Sequence, residues 1–132
     1  MKHLLAGILA ALGLAGAATA EDAQNGEALF QSHCAVCHGL GARGDGPMAT
    51  VLLIKPPDLT QLTARNGGVY PIARIVMRID GRDPLVSHGS PMPVYGPFFD
   101  VDFVPLKAET GQPIMTSTPV SDLLAYLRGV QE

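Results

Sequence analysis

Cysteine is what this chain has least room to spend. It has two, Cys34 and Cys37, among 132 residues. A structural zinc site would need two further ligands at a second short spacing, and there are no other cysteines to supply them. Lysine is scarce as well: beyond Lys2 there are only Lys55 and Lys107. The formal net charge is −3, a balance that argues against nucleic acid as a partner. After residue 20 no apolar run reaches the ~20 residues needed to span a bilayer. There is no internal repeat and no low-complexity tract, and the length suits one domain.

The first twenty residues read as a secretory signal. Lys2 supplies the positive start, Leu4 to Ala17 is apolar, and Ala18-Thr19-Ala20 is a small-x-small cleavage site. A retained anchor is the competing reading, but the run is short for a span. No cysteine sits at the cleavage site, so the signal is not of the lipoprotein kind. The expected arrangement is a cleaved leader at 1–20 and one domain at 21–132. Stable membrane insertion after cleavage is not expected.

Cys34-Ala35-Val36-Cys37-His38 has the form C-x-x-C-H, the attachment pattern for c-type haem. Two thiols add across the two vinyl groups of the porphyrin, and the spacing brings both sulfurs to one edge. The imidazole directly after Cys37 reaches the iron as proximal ligand through a neutral ring nitrogen. A thioredoxin-like disulfide would need a βαβ context, which the sequence does not offer. A single motif means one covalent haem c per chain. The disc would supply apolar surface that so short a chain otherwise lacks, so the apoprotein is expected to be weakly folded.

Hydrophobic spacing predicts three main helices. Asp22 can cap the first, to about His33, with Gly26, Leu29, Phe30 and His33 on one face. Gly26 costs helix propensity, and close approach by another helix is a reason to keep it. Residues 39–57, rich in Gly and Pro, are expected as loop, with a helical turn between Met48 and Ile54. Pro71 to Ile79 makes the second helix, its stripe Ile72, Ile75, Val76 and Ile79 opposite Arg74 and Arg78, and Gly81 ends it. Residues 84–105 are Pro-rich and extended. Val101 to Met115 suggests a hairpin around Thr110-Gly111. The last helix is expected from Pro119, at its first position, to Val130, with Thr118 as its cap and Val120, Leu123, Leu124 and Leu127 on its apolar face.

Six-coordinate iron needs a second ligand. The candidates are Met48, Met77, Met92, Met115, His33 and His88. Met92 stands out because Pro91 and Pro93 hold it on a stiff, extended loop. A thioether is a soft ligand and raises the reduction potential relative to a second histidine. Gap-filling between loop and core is the other reading of Met92. His88 would instead give a bis-His haem.

With these residues the chain resembles the small class I c-type cytochromes of bacterial periplasms. The likeness covers most of residues 24–129. It rests on Gly26 and Phe30, Cys34 to His38, Gly44-Asp45-Gly46-Pro47, Met92-Pro93 and Asp122 to Leu127. A cytochrome c′-like bundle would carry its haem motif near the C-terminus instead. The resemblance implies an all-α cytochrome c fold, with three to four short helices and long loops wrapped around one covalent haem. It implies that the first and last helices cross, Gly26 and Phe30 against Leu123 and Tyr126. It also implies that the Pro47 carbonyl accepts a hydrogen bond from His38. The stretch from Tyr95 to Thr118 is longer than in the smallest members, which suits a docking element. A lysine-ringed haem edge, as in mitochondrial cytochrome c, is absent. Arg43, Arg65, Arg74, Arg78 and Arg82 are candidates for a smaller basic patch, but with Asp45, Asp58, Asp80 and Asp83 interspersed an ordinary solvated charged surface is the preferred account.

The expected function is a periplasmic one-electron carrier, not an enzyme, with His38 and Met92 as axial ligands and redox proteins as donor and acceptor. The first alternative is a haem c subunit of a periplasmic dehydrogenase or oxidase complex, the chemistry residing on another chain. The second is an open-site haem sensor or peroxidase, which requires that Met92 not ligate.

Overall fold

A computed structural model describes residues 21–84 and 89–132. The expected leader at 1–20 and the rival ligand His88 lie outside the described residues. Helix α1 spans Ala23–His33, and α2, Ala35–His38, follows it almost without a break. The Asp22 side chain caps α1 by accepting from the backbone N–H groups of Gln24 and Asn25, two donors the helix start leaves unpaired. A 3-10 turn, Pro47–Thr50, comes next. A second, Leu59–Gln61, runs into α3, Leu62–Arg65. Helix α4 is Ile72–Asp80, and a two-stranded hairpin, β1 Phe103–Lys107 and β2 Pro113–Ser117, leads into α5, Thr118–Gly129.

The two end helices cross where the sequence places a glycine. A Cβ at Gly26 would collide with the Asp122 carbonyl and come within 3.0 Å of the Tyr126 Cβ. Only a residue without a side chain lets the backbones approach so closely. One turn on, the Phe30 and Tyr126 rings lie 5.2 Å apart. The crossing is also tied by a carboxylate. Asp122, buried on α5, accepts from the Asp22 backbone N–H at 2.8 Å and from Asn25 Nδ2 at 2.7 Å. Phe30, Val120, Leu123 and Leu124 are all but fully buried there, each contributing roughly 1.5–3 kcal/mol by burial.

Helix α4 lays Ile75, Val76 and Ile79 into the same core. Pro71 precedes it and Gly81, in the left-handed region at φ 89°, closes it. The opposing stripe of arginines therefore points away from the core.

Three expectations shift. The helical turn after Met48 is shorter than expected and already starts at Pro47. The hairpin begins at Phe103 rather than Val101, because Asp102, at φ 27°, breaks the extended run. Its turn is Ala108 to Gln112, closed by Ala108 N–H donating to the Gln112 carbonyl. Thr118 does not cap α5. It is the first residue of that helix, and its hydroxyl donates instead to the Asp102 carbonyl. The turns at 59–65 were not anticipated. Asp58 starts them by accepting from the Thr60 N–H and hydroxyl, and Gln131 holds them from the chain end through Thr63 N–H and the Leu59 carbonyl.

Candidate functional site

Cys34 is both the end of α1 and the start of α2, so the motif is wound into one continuous turn. Backbone bonds tighten it: Cys37 and His38 N–H both donate to the Cys34 carbonyl, at 3.1 and 2.9 Å. The glycine-rich segment that follows folds back over it. Gly44 N–H donates to the His38 carbonyl and Gly46 N–H to the Cys37 carbonyl. A Cβ on Gly46 would sit 2.6 Å from the Cys37 carbonyl carbon, so this return path has no space for a side chain. Ala42, fully buried at φ 58°, accepts from Leu59 N–H and thereby draws residues 56–59 to the same place.

Above the motif opens a cavity of about 670 Å³, within the size range of cofactor sites. Cys34, Cys37 and His38 form one part of its wall, and Ser90, Pro91, Met92 and Pro93 another. Phe30, Leu59, Leu62, Ile75, Ile79, Leu123 and Leu127 make it predominantly apolar. Met92 is thus the one methionine of the four weighed as ligands that reaches this wall. Met48 and Met115 are about half exposed elsewhere, and Met77 lies on α4 outside the lining. His33 does reach the wall, but from the end of α1 next to Cys34, its ring 5.0 Å from that of Phe98.

The charged groups on the wall are Lys55, Arg65, Arg74 and Arg78, with no carboxylate among the described lining residues, although Arg78 pairs with Asp83 just outside it, Nε to Oδ2 at 3.4 Å. In a chain of net charge −3 this is a selective distribution. Arg43 and Arg82 take no part: Arg43 pairs with Glu132, and Arg82 with Asp80 and the Met115 carbonyl.

His38 is buried, and burial lowers its pKa, which keeps the ring neutral and able to ligate. The backbone of Pro57 acts in the opposite sense. Nδ1 nevertheless has no hydrogen bond of normal geometry. Pro47, expected to serve this ring, does not: its carbonyl accepts from the Thr50 hydroxyl at 3.3 Å. Pro57 comes near the ring because the Ala42–Leu59 bond and the close packing of Gly44 on Pro56 and Pro57 draw that segment back to the motif. Both cysteines are partly buried and are not joined to each other by a disulfide. Burial, with Cys37 adding to it, pushes the Cys34 thiol up to about 11, so it stays protonated at neutral pH.

Among the described residues no group of three or more His, Cys, Asp or Glu could hold a metal ion, which leaves the zinc reading without support. An apolar cleft, two thiols on one edge, a neutral imidazole, a thioether and a cationic rim suit a haem: two points of attachment, ligands for iron, and partners for two carboxylates. The family model for cytochrome c matches residues 23–131.

The chain belongs to the cytochrome c family. With that membership comes a covalently bound haem c and a role in haem-based electron transfer. The fold agrees, being mostly helical with only a small hairpin. No curated protein and no solved structure matches the chain. No helix among the described residues of this cytochrome is long and apolar enough to cross a membrane.

Proposed function

We propose that this cytochrome is an exported, periplasmic one-electron carrier in which Cys34 and Cys37 carry the haem thioethers and His38 and Met92 are the axial ligands. One observation carries the reading: the C-x-x-C-H motif and Met92, more than fifty residues apart in sequence, line the same apolar cavity. When bound, the haem supplies a single electron by cycling its iron between Fe(III) and Fe(II). The chain's part is to hold still. The wound turn of α2 and its glycine cover fix His38. Pro91 and Pro93 restrict the backbone around Met92. The apolar lining keeps water out, so little reorganises when charge changes. Lys55, Arg65, Arg74 and Arg78 are placed to neutralise the haem carboxylates. Two occupied axial positions leave none for a substrate, so the protein performs no bond chemistry. Export follows from the leader-like residues 1–20 and suits an oxidising compartment.

Mass spectrometry of the mature protein should show one added haem that survives acid-acetone extraction. The ferric protein should show the weak long-wavelength absorption band of Met-ligated haem c. An extractable haem would remove the covalent assignment, and absence of the band the Met92 assignment.

The alternative of a subunit within a dehydrogenase or oxidase complex has one observation in its favour. Phe103, Pro105 and Met115 are exposed on the hairpin, with Pro105 paired opposite Met115 and Phe103 two residues along. Phe98, packed on His33 and Phe99, is 63% exposed as well. Co-purification of the native protein with a larger cofactor-bearing chain, lost on replacing Phe103 and Met115 with Ser, would favour that arrangement.

A further inference from the structure

Met92 hangs on a segment with few anchors of its own. Its N–H bonds only to the Ser90 hydroxyl, at 3.2 Å, two residues away on the same loop. The first long-range tie comes three residues later, at Tyr95. The Tyr95 N–H donates to the Ile79 carbonyl on α4 at 2.8 Å. The Tyr95 hydroxyl donates to the His33 carbonyl at 2.9 Å. His33 ends α1 and is bonded directly to Cys34. The Tyr95 ring stacks on Phe99 at 5.6 Å and lines the cavity together with Met92.

Resting on the axial assignment above, we infer that Tyr95 is the positioning residue for Met92: its hydroxyl clamps the distal loop to the haem motif and sets how often the thioether leaves the iron. Among the described residues this is the one hydrogen bond that joins residues 89–102 to α1 or α2. Pro93 stands between the two residues and fixes one backbone angle of the short link. Displacement of Tyr95 is therefore passed on to Met92 rather than absorbed. The iron–thioether bond is weak, so a loop held by a single polar tie on this side governs whether it stays made.

A matched control exists in the same fold. The Tyr70 hydroxyl also donates to a helix carbonyl, that of Leu124, at 3.0 Å. Tyr70 does not line the cavity, and its bond joins the α4 approach to α5. The same chemical deletion at the two tyrosines therefore separates loss of a hydrogen bond from loss of the clamp.

The experiment compares ferric holoprotein of the wild type, Tyr95→Phe, Tyr70→Phe and Met92→Ala. The first readout is binding of added imidazole, which enters only when the thioether has left. The second is the spacing in denaturant between loss of the Met-ligation band and loss of helical circular dichroism. Phenylalanine keeps the ring stack, so Tyr95→Phe is expected to fold. It should bind imidazole about fivefold more tightly, as loss of one ordinary hydrogen bond allows, and should widen the spacing between the two transitions. Tyr70→Phe should move both transitions together and leave their spacing as in the wild type. Unchanged imidazole binding in Tyr95→Phe, beside a wild-type band that Met92→Ala abolishes, overturns the clamp alone. A wild type without the band, unaltered by Met92→Ala, overturns the axial assignment and the clamp with it.

Discussion

The two walls of the cavity are built on different principles. The wall that carries Cys34, Cys37 and His38 is part of the helix crossing: α1 and α2 are continuous with it, α5 packs across it, and backbone bonds from Gly44 and Gly46 close over it. Phe30, Leu123 and Leu124 behind it are all but fully buried. The wall that carries Met92 is a proline-rich loop with no regular structure between 89 and 102, attached at Tyr95 and through the burial of Phe99. Val94 and Phe98 on that side are substantially exposed. On the proposed ligation, a cooperative core would hold one ligand and a local tether the other. Regions with few buried contacts open at lower cost than the global fold, so the two axial bonds are expected to differ in lifetime.

The largest effect should come from cutting the covalent link on the rigid side. Replacing Cys34 and Cys37 together with Ala should abolish retained haem and leave a chain with little cooperative unfolding, read by haem content and circular dichroism. A folded, haem-free variant with native helicity would mean that the core does not depend on its cofactor. Next, Gly26→Leu should overpack the crossing and destabilise the holoprotein by ~1–3 kcal/mol in denaturant titration. Both transitions, band and helix, should move with it. Asp122→Ala removes the buried acceptor of two hydrogen bonds whose donors, on Asp22 and Asn25, are on exposed residues that water can reach, and should cost about 1 kcal/mol, again without separating the probes. On the other wall, Met92→Ala should abolish the Met-ligation band and lower the reduction potential, with the helical signal almost unchanged. In the wild type, loss of the band should precede loss of helix as denaturant rises. Coincidence of the two would erase the contrast between the walls and would mean that Phe99 locks the loop into the core. The smallest effect is expected from Arg43→Ala, because its pairing with Glu132 is exposed and such pairs add little. A measurable shift there would show the chain end to be part of the rigid side.

The rigid wall was largely legible in the sequence. The helix over 23–33, its Asp22 cap, the glycine crossing, the stripe at 72–79 and the apolar face of α5 are periodic and local, and the structure keeps them. The site was legible wherever chemistry demands adjacent residues, as in Cys34 to His38. What escaped was non-local. The turns at 59–65 carried a signal in Asp58 with Thr60 two residues on, which is local capping chemistry and was readable. That Pro57 rather than Pro47 comes near the His38 ring was not readable, since both are prolines in loops and the backbone bond at Ala42 draws Pro57 in. The gathering of Lys55, Arg65, Arg74 and Arg78 about one opening was equally hidden, because they come from a loop, α3 and α4, which only the fold brings together.

From sequence alone came the family resemblance, the haem-attaching cysteines with their histidine, the helix pattern and the preference for Met92 among six candidates. Those follow from short-range rules: covalent spacing, helical period, capping and proline stiffness. Only the tertiary structure decided that Met92 faces the same cavity as His38, that the cavity's charges are all positive, and that Tyr95 reaches the carbonyl beside Cys34. These depend on where distant segments meet. That meeting is set by the burial of a shared core and by single backbone bonds, whose partners no local pattern in the chain specifies.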